Sequence, residues 1–262
     1  MARPPASPRN ETTSRRRQPG VGPGPGPDAG KRGSVIQRRS SACDLSGERA
    51  RVRRLFEIEI EIAARGDGFR VVAGVDEVGR GCLAGPVYAG AVAFCGETEM
   101  AGLDDSKMLD AEVRADLAGR IRRRALGVGV GAATAAEIDA LGIAPATLLA
   151  MRRALGRLAD TGAVPDLVLF DAVTLPGLDV PQRAFVRGDA RVACIAAASV
   201  VAKDARDRAM DELDRALPYY GFGSHRGYGT PEHLGALRRH GPSPEHRLTF
   251  DRVLPARGRR AA

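Results

Sequence analysis

The sequence Asp76-Glu77-Val78-Gly79-Arg80-Gly81 constrains this chain more than any other feature. It follows an apolar run at 71–75, which is typical of a buried strand. Two adjacent carboxylates at the end of such a run can bind a hard divalent cation such as magnesium or manganese. In the Gly-Arg-Gly turn, backbone amides can approach a ligand closely, because glycine has no Cβ. A cation beside exposed amides indicates a site that handles phosphate.

Residues 79–84 also fit the G-x-G-x-x-G/A fingerprint of dinucleotide-binding proteins. That fingerprint requires a helix to begin near Gly81. Gly85-Pro86 interrupts the chain instead, and 87–94 has the pattern of a second strand. The two adjacent carboxylates would also repel a pyrophosphate unless a cation intervened. A dinucleotide-dependent oxidoreductase is therefore the less favoured alternative.

Length and cysteine usage indicate a protein of the reducing cytoplasm. The chain has 262 residues, which suits one domain of about 200 residues plus a tail. It contains no run of 18 apolar residues and does not start with an apolar signal core, so we expect no membrane association and no secretion by that route. The 4 cysteines are scattered and form no C-x-x-C pair, which does not favour zinc.

The positive charge is concentrated at the N-terminus. Residues 1–54 carry 13 Lys and Arg against 4 Asp and Glu, so the net charge of +8 leaves −1 for the remainder. We expect 1–50, which is rich in Pro, Gly and Arg, to be a disordered basic tail. The arginine-rich end at 218–262 is either a phosphate-facing surface or a solvated charged surface. These features keep a second hypothesis open, that of a non-catalytic nucleic-acid binder.

The pattern of elements predicts an α/β fold. Strands are expected at about 70–76, 86–95, 128–132 and 166–171, and helices at about 52–65, 110–125, 134 onwards, 144–160, 192–216 and 231–240. Asp110 is the expected N-cap of its helix, and Thr134 and Glu137 form a capping box. Strands followed by alternating helices and strands indicate a mixed sheet.

Two further acids join the first pair. Asp171 ends a predicted strand, and Asp189 follows Gly188 just before the long helix. In open α/β sheets, sites gather at strand ends, and several carboxylates that meet there are tolerated when divalent cations neutralise them. From spacing alone, the alternative that Asp171 or Asp189 only caps a turn or a helix stays open.

With these motifs the chain resembles the ribonuclease HII family over about 53–253. The matching segments, in chain order, are Ala73–Gly81, Leu83–Val87, Asp105-Ser106-Lys107, Ala146–Met151, Arg187-Gly188-Asp189, Ala197-Ala198-Ser199 with Ala202-Lys203, Tyr220–Thr230 and Gly241–Arg247. The resemblance implies a ribonuclease H-like fold, a central mixed sheet flanked by helices with a helical C-terminal region. We expect a catalytic domain at 51–255 and a disordered C-terminus at 256–262.

The same resemblance implies the activity and its residues. The activity is Mn²⁺- or Mg²⁺-dependent cleavage of RNA–DNA hybrids, and of duplex DNA on the 5′ side of single ribonucleotides. Nothing in the sequence itself demands more than a monomer. The implied catalytic residues are Asp76, Glu77, Asp171 and Asp189, of which Asp76, Glu77 and Asp171 are the implied metal ligands. The implied substrate-binding residues are Gly79, Arg80, Gly81, Lys107, Arg187 and Tyr228.

Three positions depart from the family pattern. Arg187 stands where lysine is usual, so its charge is kept. Ala172 follows Asp171 where glycine is frequent, and Asp204 stands where valine is common. We expect an acid at position 204 to weaken helix packing or phosphate contact.

Overall fold

The strand that carries Asp76 and Glu77 is the middle strand of a five-stranded sheet. In the computed structural model the strands are β1 Val72–Val78, β2 Val87–Phe94, β3 Gly127–Ala133, β4 Leu167–Asp171 and β5 Gln182–Phe185, in the order β3-β2-β1-β4-β5. β1 pairs antiparallel with β2 and parallel with β4. The sheet is therefore mixed, and the predicted α/β fold class is confirmed.

Helices follow the predicted positions closely. They are α1 Ala111–Arg124, α2 Ala135–Leu141, α3 Ile143–Ala159, α4 Ala193–Ala216, α5 Phe222–His225 and α6 Pro231–His240, with a 3₁₀ turn at Gly188–Ala190. The structure describes residues 66–94, 103 and 110–254, and positions 47, 50, 53, 57–59, 62 and 63. The described positions from 53 to 63 are helical, as expected for 52–65. Positions 47 and 50, which belong to the predicted tail at 1–50, are helical as well.

Helices cover both faces of the sheet. α4 packs on β1 and β2, and α3 packs on β2 and β3 from the other side. The approach of α4 depends on two glycines, because a Cβ on Gly74 would lie 2.2 Å from the Cys194 carbonyl carbon and one on Gly90 would lie 2.3 Å from the Ala198 oxygen. Close packing on small residues therefore fixes α4 against the strand that bears the carboxylates.

Local signals had mixed outcomes. The Thr134–Glu137 capping box is present in both directions. Asp110 is the N-cap of α1, but its side chain makes no capping hydrogen bond. No helix begins near Gly81 among the described residues, and β2 starts at Val87 instead, so the dinucleotide fingerprint is excluded.

Several expectations concern residues outside the described part. These are the basic tail at 1–46, the segment at 104–109 that contains Lys107, and the C-terminus from 255 onwards. The tail and domain boundaries therefore stay predictions. Among the described residues, the structure contains no helix with the length and apolar character needed to cross a bilayer.

Candidate active site

Asp76 and Glu77 lie in the last part of β1 rather than beyond its end. Successive strand side chains leave opposite faces of a sheet, so these two carboxylates diverge. Asp76 is 5% exposed and accepts hydrogen bonds from the Glu77 amide, at 2.8 Å, and from Ser199 on α4. Glu77 is half-buried and pairs with Arg80, whose Nη1 donates to Oε1 at 3.1 Å.

Asp171 lies beside Asp76 on the neighbouring strand. The parallel pairing of β1 with β4 matches Val75 with Phe170, so the next residue of each strand is a carboxylate. The charge of Asp171 raises the pKa of both Asp76 and Glu77, although burial is the larger cause for each. Three of the predicted carboxylates are therefore electrostatically coupled at one end of the sheet.

The fourth acid, Asp189, is placed through a backbone contact. The amide of Gly188 donates to Asp171 Oδ1 at 2.8 Å, and Asp189 follows in the 3₁₀ turn with 8% exposure. Arg187 precedes this turn with an exposed side chain and a φ of +58°. This hydrogen bond holds the turn that contains Asp189, and Arg187 before it, at the end of β4. Asp189 itself lies in the 3₁₀ turn and not on β1 or β4.

The electrostatics of the carboxylates fit a divalent cation. Burial, and then the charge of Glu77, raise the pKa of Asp76 to about 7. Acids that disfavour one another's charge become stable anions when a hard cation binds between them. Among the described residues, however, no three His, Cys, Asp or Glu side chains already form a ligand cage. The donor set therefore fits such an ion chemically, while the side chains are neighbours rather than a preformed cage.

The Gly79–Gly81 turn is supported by two buried arginines. A φ of +91° at Gly79 favours glycine, and a Cβ there would lie 2.1 Å from Arg206 Nε. Arg206 donates to the carbonyls of Ala84, Pro86 and Arg226, and its Nη1 has no hydrogen-bond partner among the described residues. A buried positive charge thus lies directly behind the turn.

Arg247 supports the turn from the C-terminal segment. It is fully buried and donates to the carbonyls of Gly79, Arg80 and Gly85. Burial lowers its pKa to about 10, so it stays charged at neutral pH. Neither alternative for the arginine-rich end at 218–262, a phosphate-facing surface or a solvated one, describes this buried residue. Arg226 of the same segment pairs with Asp211.

Tyr228 lies next to the Gly79–Gly81 turn. Its side chain is 45% exposed and contacts Cys82, which follows Gly81. The amide of Leu83 donates to the Gly227 carbonyl at 2.8 Å, which docks the loop of Tyr228 against the end of the turn. The structure therefore places Tyr228 near the turn.

A family comparison agrees with this arrangement. The model of the family described as Ribonuclease HII matches residues 73–253, which include all four acids, the turn and Tyr228. The chain belongs to the ribonuclease HII family. Ribonuclease HII enzymes are metal-dependent nucleases of ribonuclease H type 2, and this chain is such an enzyme.

Curated ribonuclease HII proteins cover most of the chain. The protein of Solibacter usitatus is 51% identical over 197 residues, which are 75% of this chain and 85% of that protein. The protein of Chloroflexus aggregans is 51% identical over 203 residues, 76% of this chain and 94% of that protein. The resemblance seen in the sequence is thereby confirmed.

Solved structures share the fold. Ribonuclease H2 of Pyrococcus horikoshii has a TM-score of 0.60 at 26% identity and covers 70% of this chain and 95% of its own. Bst-RNase HIII, crystallised in complex with Mn²⁺, has a TM-score of 0.55 at 19% identity and covers 70% of this chain and 68% of its own. The second likeness concerns the fold alone.

The sequence analysis did not identify the two buried arginines that support the turn. Arginine in a polar C-terminal segment is usually solvated, and only the fold shows that Arg247 contacts carbonyls more than 160 positions away. Arg206 lies on α4 four residues from Ala202 and four from Met210, which are both buried, so the helix places it on the buried face. Both belong to the support of the ribonuclease HII turn.

Proposed function

We propose that this ribonuclease HII cleaves the RNA strand of RNA–DNA hybrids and nicks duplex DNA on the 5′ side of single ribonucleotides, leaving 3′-hydroxyl and 5′-phosphate ends. The observation that carries the proposal is the coupling of Asp76, Glu77 and Asp171 at the end of two adjacent strands, beside a turn with exposed backbone. Acidic groups prepare a cation site there, and the turn offers amides to a sugar.

The carboxylates act as metal ligands in this proposal. Asp76, Glu77 and Asp171 would hold two divalent cations, Mn²⁺ or Mg²⁺, and Asp189 would orient the attacking water. When bound, such ions lower the pKa of the attacking water and stabilise charge on the departing 3′-oxygen. Burial of Asp76 against Ser199 fixes its carboxylate, so this residue sets the position of the site.

Substrate recognition is assigned to the exposed groups around the carboxylates. The amides of Arg80 and Gly81 would contact the 2′-hydroxyl, the group that distinguishes RNA from DNA. Tyr228 would pack on the adjacent deoxyribose, where a further hydroxyl fits poorly. Arg187 and Lys107 would contact phosphates, which position the duplex without reading its sequence.

The proposal is tested with duplex DNA that contains one ribonucleotide, incubated with Mg²⁺, with Mn²⁺ or without either, and the nick mapped on a sequencing gel. We expect a metal-dependent nick on the 5′ side of the ribonucleotide. Asp76→Asn should abolish it while hybrid binding survives, because the side chain keeps its shape and loses its charge.

Asp160→Asn is the matched control. Asp160 is exposed at the C-terminal end of α3, beside the start of β3, and so lies at the opposite end of the sheet from the carboxylates. It should cleave like the wild type. Full activity of Asp76→Asn, or a nick at another position, would refute the assignment.

A further inference from the structure

The carbonyls of the Gly79–Gly81 turn point into the protein. The Gly79 oxygen accepts from Arg247 Nη2 at 2.7 Å, and the Arg80 oxygen accepts from Arg247 Nη1 at 2.8 Å. The Cys82 amide also donates to the Gly79 oxygen at 3.4 Å, which closes a four-residue turn. Arg247 thus binds both carbonyls that precede the two central amides of the turn.

This geometry fixes the direction of the amides. In a planar trans peptide, the C=O and the following N–H point in opposite directions. Because the Gly79 and Arg80 carbonyls face the buried guanidinium, the N–H groups of Arg80 and Gly81 face away from it. Arg80 and Gly81 are exposed, and within the described residues neither amide donates a hydrogen bond.

Arg247 itself is rigidly held. Its Nε and Nη2 both donate to the Gly85 oxygen, at 3.0 and 2.8 Å, and its guanidinium lies 5.1 Å from the centre of the Phe250 ring. Its own amide donates to the Leu83 oxygen at 2.9 Å. A lysine keeps the charge at this position but lacks the planar fork that spans several carbonyls at once.

The segment that carries Arg247 also holds the loop of Tyr228. His233 Nδ1 donates to the Tyr228 carbonyl at 2.8 Å, so its Nε2 accepts from His246 Nε2 at 3.1 Å. His246 Nδ1 then accepts from the Ser243 amide at 2.9 Å. Each ring is neutral in this chain of hydrogen bonds, which links Tyr228 to the residue next to Arg247.

We propose that Arg247 is a positioning residue for ribonucleotide recognition, which aims the amides of Arg80 and Gly81 at the 2′-hydroxyl. The inference rests on the proposed reading of the 2′-hydroxyl by this turn. It assigns to a fully buried arginine a role in specificity that is separate from catalysis. The hydrogen bonds of the Arg247 guanidinium go to backbone carbonyls and to none of the four acids.

The test is a comparison of binding ratios. In an Asp76→Asn background, which prevents cleavage, the Kd for duplex DNA with one ribonucleotide is compared with the Kd for the all-DNA duplex of the same sequence. We expect the parent to bind the ribonucleotide duplex more tightly than the all-DNA duplex. Arg247→Lys should reduce this ratio of Kd values about fivefold, which corresponds to the loss of roughly one hydrogen bond. A loss of folded protein would weaken both complexes alike and leave the ratio unchanged.

Arg153→Lys in the same background is the control. Arg153 is an exposed arginine of α3 that pairs with Glu137, and its replacement should leave the ratio as in the parent. An equal ratio in folded Arg247→Lys and in the parent would overturn the inference while leaving the proposed function intact. A parent with no preference would refute the reading of the 2′-hydroxyl, and the inference with it.

Amide hydrogen exchange in the Asp76→Asn parent needs no change at Arg247. The amides of Arg80 and Gly81 should exchange rapidly in the free protein, become protected by the ribonucleotide duplex and stay unprotected with all-DNA duplex. If these amides were already protected in the free protein, they would not face outward, and the role assigned to Arg247 would be wrong.

Discussion

Replacing Ala172 with glycine is expected to stabilise the protein, although it removes a side chain. Ala172 has a φ of +58°, in the left-handed region where a Cβ crowds the following carbonyl. Its amide donates to the Phe185 oxygen at 3.0 Å, and the Val173 amide donates to the Asp171 oxygen at 2.7 Å. These bonds hold the strained conformation directly after a proposed metal ligand.

The magnitude follows from two opposing terms. A residue with a Cβ in this conformation costs about 1–2 kcal/mol relative to glycine. Glycine gives the unfolded chain more freedom, which offsets about 0.4–1 kcal/mol of the gain. The Ala172 side chain is exposed and loses little packing. A net gain of about 0.5 kcal/mol remains, or about 1–2 °C in Tm for a domain of this size.

The assay is urea unfolding, with calorimetry as a second measure, of Ala172→Gly beside Ala140→Gly. Ala140 is an exposed residue of α2, so its glycine variant carries the same unfolded-state cost with no strain to relieve. It should lose about 1 kcal/mol. The reasoning about backbone strain fails if Ala172→Gly is destabilised as much as Ala140→Gly.

Three further outcomes are expected from the structure and the sequence. Burial, and then the charge of His233, lower the pKa of His246 from 6.5 to about 4. As the pH falls, the unfolded chain therefore takes up a proton at this histidine before the folded protein does. The free energy of unfolding should fall by about 2 kcal/mol, allowing for screening, between pH 6.5 and pH 4. Urea unfolding of Asp76→Asn at several pH values should show this loss. The variant is used because the raised pKa of Asp76 makes the wild type more stable as the pH falls, which would mask the effect of His246. Gly74→Ala should cost about 2–3 kcal/mol in urea unfolding, because its Cβ would lie 2.2 Å from Cys194 backbone. Deleting 1–50 should leave kcat/KM on a hybrid within about twofold, whereas a simple basic binder would lose its affinity.

Elements with a strong local signal could be predicted from the sequence. The apolar run before Asp76 gave β1 to within two residues at each end, and α4 was expected at 192–216 and is found at Ala193–Ala216. The capping box at Thr134 needs only residues three positions apart. In these places, the residues that decide the structure are neighbours along the chain.

Other elements depend on contacts between distant residues. β5, Gln182–Phe185, was not predicted, because its sequence is polar and it becomes a strand by pairing with β4 at the sheet edge. Asp204 was expected to weaken packing, yet it is buried and pairs with Arg122 of α1 at 3.1 Å and with Arg208 at 3.1 Å. The sequence did not predict this pairing, because Arg122 belongs to another helix.

The same distinction separates the two halves of the candidate site. Asp76, Glu77 and Asp171 lie on strands whose pairing the core enforces, so the sequence alone could place them together. The Gly79–Gly81 turn has no such frame, and its orientation depends on bonds from Arg247, which lies over 160 residues away. Substitutions in the C-terminal segment should therefore reduce the preference for ribonucleotide duplexes before they displace the carboxylates, because β1 and β4 do not depend on that segment.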